Sequence, residues 1–190
     1  MHVVYGGAFN PPTIAHLEVF YYIDDRLPVT RFTYLPVSSA YTKSSLVSNY
    51  HRLKMLELMT KSVDKIVISD LEMRDELFEG TYQSLVRLSD DSREEVAFVI
   101  GADNVSDLSD WKMASSLLGE FKLIVLGRNG IDVRTIIDSD DFLSKYRDNF
   151  IVLDDFNCDV SSTAFRDTLD PSMVHEDVYQ YIVDQDLYKR

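Results

Sequence analysis

VVYGGAFNPPTIAH, residues 3–16, is the stretch on which the fold turns. A short apolar run ends in two glycines, two prolines come soon after, and a histidine stands four residues past the second proline. The run reads as a strand, because β-branched and aromatic side chains suit a pleated, buried surface. The segment after the prolines reads as a helix. Pro11 and Pro12 disfavour helical backbone ahead of Thr13, and Thr13 is suited to cap the first turn. Gly6 and Gly7 allow positive φ and leave no Cβ in the path of a ligand approaching the main chain. His16 falls at about the third helical position, and helical side chains lean toward the N-terminus, so its ring faces the helix mouth.

Working outward, the same alternation repeats along the chain. Strand-like runs occur at 2–5 (HVVY), 31–37 (RFTYLPV), 65–69 (KIVIS), 96–101 (VAFVIG), 121–127 (FKLIVLG) and 150–153 (FIVL). Between them, residues 14–23, 51–59, 81–88 and 111–118 space apolar side chains at three- and four-residue steps, as does the final segment 172–188. Strands apolar on both faces that alternate with helices imply a parallel sheet covered on both sides. The expected fold is therefore α/β, a doubly wound Rossmann-like parallel sheet flanked by helices, with a C-terminal helical part. No repeat or Pro/Gly/Ser-rich linker divides the 190 residues, so one domain spanning 1–190 is expected. The acidic run at 138–141 is a solvated loop or helix end.

The formal charge of −13 sets the protein against nonspecific nucleic-acid binding, since a polyanion is repelled at long range. A small anionic ligand in a locally positive pocket remains compatible with it. Cys158 is the sole cysteine, which rules out an internal disulfide and fits a reducing compartment. With no signal peptide and no apolar run of bilayer length, the expectation is a cytoplasmic protein.

The helix mouth after Thr13 is an anion site by construction, with exposed N–H groups at the positive end of the helix dipole. A histidine there can donate to a phosphate oxygen; a histidine packed under the sheet is the alternative. VSSTAFR at 160–166 repeats the theme. Ser161, Ser162 and Thr163 offer caps and hydroxyl donors, and Arg166 is expected in the first turn, where a cation opposes the dipole unless an anion is bound. The alternative for Arg166 is pairing with one of the many acids. Two such mouths could grip one polyphosphate.

At these residues a family becomes recognisable. The chain resembles the nucleotidyltransferases with an (H/T)xGH signature, and within them the bacterial nicotinate-nucleotide adenylyltransferases. GGAFNPPTIAH at 6–16 is similar to GGTFDPPHxGH, and YHRLKMLEL at 50–58 to HRLxMLxLA. SDLEMRDELFEGTYQSL at 69–85, FVIGADNVSDLSDW at 98–111, VSSTAFR and the terminal VYQYIVDQDLY at 178–188 come in family order.

The resemblance implies transfer of AMP from ATP to nicotinate mononucleotide, releasing pyrophosphate and forming the dinucleotide precursor of NAD. The implied attack is in-line, by the mononucleotide phosphate on the α-phosphorus. Such chemistry asks mainly for positioning and charge stabilisation. By position, His16 steadies the α-phosphate, with Thr13 standing where the family has histidine or threonine. Gly6, Gly7, Ala8 and Phe9 form the turn that meets the nucleotide. Ser161, Ser162 and Arg166 hold the β- and γ-phosphates. Lys43, in SSAYTK, lies where the family carries a phosphate-binding lysine. Gly101 and Asp103 meet a nucleotide ribose, although Asp103 could instead cap the helix after it. Thr81 and Tyr82 fall where backbone amides recognise the nicotinate carboxylate, and Trp111 where an aromatic ring stacks on the pyridine. Mg²⁺ is implied with ATP, held by phosphates and water rather than by a protein cage, and a homo-oligomer is compatible.

Asn10, Thr13 and Ala15 depart from the family's aspartate, histidine and glycine. They leave open nicotinamide mononucleotide or another phosphorylated acceptor, and a noncatalytic nucleotide-binding paralogue.

Overall fold

All six expected strands form in a computed structural model of the chain, which describes residues 1–39, 46–74, 79–89, 94–127 and 130–189. They are β1 (His2–Gly7), β2 (Arg31–Pro36), β3 (Ile66–Ile68), β4 (Val96–Gly101), β5 (Lys122–Leu126) and β6 (Phe150–Leu153). Their order in the sheet is β3-β2-β1-β4-β5-β6. The recorded pairs β1–β4, β2–β3, β4–β5 and β5–β6 are all parallel. The order reverses between β1 and β4, the place where sheets of this kind bind ligands beyond their strand ends. The helices are α1 (Ile14–Arg26), α2 (Asn49–Thr60), α3 (Leu71–Arg74), α4 (Thr81–Ser89), α5 (Ala114–Glu120), α6 (Val133–Ser139), α7 (Ser162–Thr168) and α8 (Glu176–Asp184). Among the described residues no helix is long and apolar enough to cross a membrane.

The chain divides into two compact units, the first comprising Met1–Gly6, Val29–Arg31 and Phe78–Asn157. Its core is a run of strands buried on both faces. Every residue from Val96 to Ile100 is buried, as are Leu123, Ile124 and Val125 beside them. Leu117 and Leu118 of α5 and Val133 and Ile137 of α6 are buried in the same unit. Each such side chain contributes about 1.5–3 kcal/mol of burial. One boundary differs from expectation. The apolar spacing from Trp111 suggests a helix there, but Met113 is left-handed at φ 57° and α5 begins only at Ala114.

The second unit holds Gly7–Pro28, Phe32–Leu77 and Cys158–Arg190. α1 buries Val19, Phe20 and Ile23. Phe20 meets Phe32 of β2 edge to face at 5.3 Å, and Phe32 meets Tyr34 in the same way at 5.3 Å. Such aromatic pairs add about 0.5–1.5 kcal/mol to area burial. Tyr34 then reaches past the core, its hydroxyl donating to the carbonyl of His16 at 2.7 Å. The aromatic cluster thus anchors the first turn of α1 to the sheet.

Candidate functional site

The turn after β1 is built by a residue other than the glycines. Gly6 and Gly7 complete the strand, and neither has a positive φ; the left-handed residue is Phe9, at φ 47°. This corrects the expectation that the glycine pair supplies the conformational freedom. Gly7 is needed for space instead, since a Cβ there would stand 3.1 Å from the tip of the Phe9 ring. Phe9 is buried between Tyr34, at 5.4 Å, and His16, at 5.1 Å, both edge to face. Ala8 stays exposed at the turn's tip.

Thr13 is the N-cap of α1, in extended backbone, and His16 is the third helical residue. The His16 ring turns back, its Nδ1 accepting the Thr13 N–H at 2.9 Å with the Thr13 hydroxyl also 2.9 Å away. An N–H can only donate, so Nδ1 is unprotonated and the neutral ring carries its proton on Nε2. Burial of the ring lowers its pKa from 6.5 to about 4, outweighing the opposing effect of the backbone hydrogen bond. Near neutral pH His16 is therefore an uncharged N–H donor at a helix mouth.

Asn10 ties this turn to the rest of the second unit. Its Oδ1 accepts the Val47 N–H at 3.2 Å and the Tyr188 hydroxyl at 2.8 Å. Its main-chain carbonyl accepts Arg166 at 2.6 Å. Ser161 caps α7, accepting the Ala164 N–H at 3.1 Å, while the Ser162 hydroxyl donates to the Pro11 carbonyl at 2.7 Å. Arg166 lies in the last turn of α7, not the first, where a cation agrees with the helix dipole. It also donates to Thr163 at 3.1 Å. The expected grippers Thr13, His16, Ser161, Ser162 and Arg166 are thus brought together, with the serines and Arg166 engaged by α7 and the turn. Lys43 lies outside the described residues.

Arg52 is the residue that sequence reasoning missed. It has no accessible surface, and its guanidinium donates to the carbonyls of Ala8, at 2.8 Å, and Val47, at 3.2 Å, and to Asn49 Oδ1 at 2.7 Å. Among the described residues no salt bridge includes it. A buried cation held, among the described residues, by neutral oxygens makes the underside of the turn electropositive. An arginine inside an otherwise core-facing helix, in HRLKM, was the available signal.

In the first unit, Asp103 comes after β4 within a 3-10 helix, Ala102–Asp110, whose N-cap is Gly101. Asp103 is therefore not the cap. Its carboxylate folds over Gly101, where an added Cβ would stand 2.4 Å from Oδ1, so only glycine admits this placement. Asp103 is exposed. Elsewhere in the unit, Gly80, Thr81, Trp111 and Lys112 line a cavity of about 330 Å³. Gly80 has φ +112°, and the stem of Lys112 lies across it where a Cβ would meet Lys112 Cβ at 3.0 Å. Trp111 is half-buried edge-on against Phe98 at 6.4 Å. α4 begins at Thr81, so the amides of Thr81 and Tyr82 lack intrahelical acceptors. The Tyr82 side chain turns elsewhere, its hydroxyl donating to Glu120 at 2.9 Å.

Comparison with known proteins places these features in a wider group. Residues 4–168 match the family described as cytidylyltransferase-like. The chain is 34% identical, over all of its length and 98% of the relative's, to a protein of Acholeplasma laidlawii named "Probable nicotinate-nucleotide adenylyltransferase". It is 30% identical, over 96% of its length and 84% of the relative's, to the nicotinamide/nicotinic acid mononucleotide adenylyltransferase of Oryza sativa subsp. japonica. Its fold matches the Plasmodium falciparum nicotinic acid mononucleotide adenylyltransferase complexed with NaAD, with a TM-score of 0.79 at 21% identity, covering 98% of this chain and 96% of the other.

Proposed function

We propose, from the premise that this chain belongs to the nicotinate-nucleotide adenylyltransferase family within the cytidylyltransferase-like group, that it transfers AMP from ATP to nicotinate mononucleotide in NAD biosynthesis. The observation that carries this reading is the end-to-end match at 34% identity, which takes in both helix mouths and the segment around Asp103. In the reaction, an oxygen of the mononucleotide phosphate forms a bond to the α-phosphorus of ATP. The bond from that phosphorus to the bridging oxygen of the β-phosphate breaks, and pyrophosphate leaves with the electron pair. No proton need be taken from the attacking phosphate, so the chain's work is to bind, orient and stabilise charge.

His16, neutral and protonated on Nε2, donates to the α-phosphate as negative charge moves onto its oxygens. The amides at the mouth of α1 add to this donation. Arg166, with Ser161 and Ser162 beside it, meets the β- and γ-phosphates and steadies the departing pyrophosphate. Arg52 contributes fixed positive charge from behind the turn. In the first unit, the exposed Asp103 carboxylate accepts ribose hydroxyls. The cavity at Trp111 takes the pyridine ring, with the amides of Thr81 and Tyr82 available to a carboxylate. That last feature favours nicotinate over nicotinamide mononucleotide.

Mg²⁺ fits as an ion carried on ATP. Among the described residues no three His, Cys, Asp or Glu side chains gather to hold a metal, which leaves phosphate oxygens and water, the ligands this ion prefers, with Asp103 able to act through water. Bound there, it would offset part of the triphosphate's negative charge. A cytoplasmic location is part of the same proposal and rests on the single cysteine, Cys158.

The test is pyrophosphate release from Mg·ATP with nicotinate and nicotinamide mononucleotides in parallel. Release that depends on the nicotinate form, with the matching dinucleotide produced, supports the reading. ATP binding without release on either acceptor overturns it and leaves a different acceptor or a nucleotide sensor.

A further inference from the structure

We propose that Tyr188 is a positioning residue for the triphosphate: through Asn10 it fixes the turn after β1 and, with that turn, Arg166. The inference rests on the adenylyltransferase reading and adds a residue from the far end of the chain to it.

The chain leaves α8 through two left-handed residues, Asp186 at φ 57° and Tyr188 at φ 63°. That region is sterically disfavoured for a bulky side chain and persists where the surroundings hold it. Here two interactions hold it. The ring stands edge to face against Phe165 of α7, at 6.2 Å and 86°. The hydroxyl donates to Asn10 Oδ1 at 2.8 Å. Burial raises the phenol's pKa well above its ordinary value, even against the nearby charges of Arg166 and Arg52, so the group stays a neutral donor at any working pH.

Asn10 is the node that transmits this. It is 4% exposed. One side-chain oxygen serves Tyr188 and the Val47 N–H, and the main-chain oxygen of the same residue serves Arg166. Loss of the phenol leaves the side-chain oxygen, among the described residues, with the Val47 N–H as its one donor. The peptide that aims Arg166 is then less constrained. Among the described residues, Thr163, at 3.1 Å, is the other group directing that guanidinium, and it sits on α7 beside it. Coupling of this kind is reciprocal: if the strap tightens ATP binding by some factor, bound ATP tightens the strap by the same factor.

Tyr188→Phe removes the hydroxyl and keeps the ring on Phe165. Removing one part-buried hydrogen bond in the network is expected to raise the Kd for Mg·ATP about 5- to 10-fold, with the KM for nicotinate mononucleotide unchanged. Combined with Arg166→Lys, the two effects multiply to less than their product, because both act on one contact. A residue with only a structural part would lower Tm and leave the Kd for ATP where it was, and that result overturns the proposal, as do fully multiplicative effects. Should the variant not fold, hydrogen exchange on the unaltered protein decides. Mg·ATP is expected to slow exchange at 185–189 together with 8–13, and an unprotected C-terminal segment overturns the proposal. If the unaltered protein binds ATP yet makes no dinucleotide, the transferase reading fails, while the Kd comparison still judges the strap.

Discussion

His16→Gln separates the histidine's charge from its capping geometry. Glutamine at the third helical position after a threonine cap is a standard capping-box partner, so the reach back to the Thr13 N–H survives while titration is lost. In the unaltered protein the folded-state pKa is about 4 against 6.5 when unfolded. The neutral form is therefore favoured by folding. Its contribution is complete above pH 6.5, declines as the pH falls because the unfolded state takes up the proton first, and is gone below about 4. Between pH 7 and pH 5 a fully desolvated ring with these values loses about 2 kcal/mol of stability, and a half-buried one roughly 1–1.5 kcal/mol. Urea denaturation at pH 7, 6 and 5 reads this directly as a shift of midpoint at constant slope. The unaltered protein is expected to lose about 1–1.5 kcal/mol more than the variant over that interval. Equal losses for both would refute the argument, showing either that the ring is solvated or that Nδ1 carries the proton.

The other expectations concern single residues. Trp111→Ala removes one wall of the cavity beside Gly80, Thr81 and Lys112; the KM for nicotinate mononucleotide should rise about 10-fold or more while that for ATP stays unchanged, as steady-state kinetics with each substrate varied will show. Gly101→Ala places a Cβ against the Asp103 carboxylate without backbone strain, since φ there is −79°. It should lower kcat/KM by about 10-fold with a stability change under about 1 kcal/mol, compared by kinetics and urea titration. Arg52→Leu leaves the Ala8, Val47 and Asn49 oxygens without their buried donor, and should cost about 3 kcal/mol in denaturant unfolding.

Much of the fold was legible because its strands are short unbroken apolar runs, those of β4 and β5 buried on both faces, while its helices carry apolar residues on one face. The limits of β4 and β6 coincide with the apolar runs at 96–101 and 150–153. Short helices were harder to see. α6 and the 3-10 segments 102–110 and 143–149 lack the length over which a 3.6-residue period stands out. α1 shows what capping residues add: Pro11, Pro12 and Thr13 mark its start to the residue. In the site, the placement of His16 came from that start, whereas its tautomer did not, because it depends on a bond from Thr13 that only coordinates reveal. Arg166 was misplaced by a turn, since VSSTAFR offers three successive caps and the helix takes the first of them, Ser161. Arg52 and Tyr188 were not read as site residues; HRLKM marks Arg52 as an unusual core residue but not what it holds. Each acts on the turn across more than forty residues of chain, and no local pattern encodes the partner.

The departures from the family motif acquire a physical reading from this network. In the bonds described for it, Asn10 accepts, from Val47 and Tyr188 at its side chain and from Arg166 at its carbonyl. An amide oxygen meets that demand as a carboxylate oxygen does, so the turn keeps its shape. The difference is electrostatic. A carboxylate at this position would bring a negative charge beside two arginines, one of them fully buried; the amide leaves that positive charge for an incoming anion. Thr13 obeys the same logic, because its main-chain N–H defines the protonated nitrogen of His16 whatever side chain the family usually places there. Asn10→Asp is therefore expected to preserve the turn, stabilise the ligand-free protein through the buried charge of Arg52, and weaken Mg·ATP. Opposite changes in Tm and in ATP affinity, measured on one sample, are the signature of that exchange; a variant that gains both would show that the arginines at this turn do not serve the triphosphate.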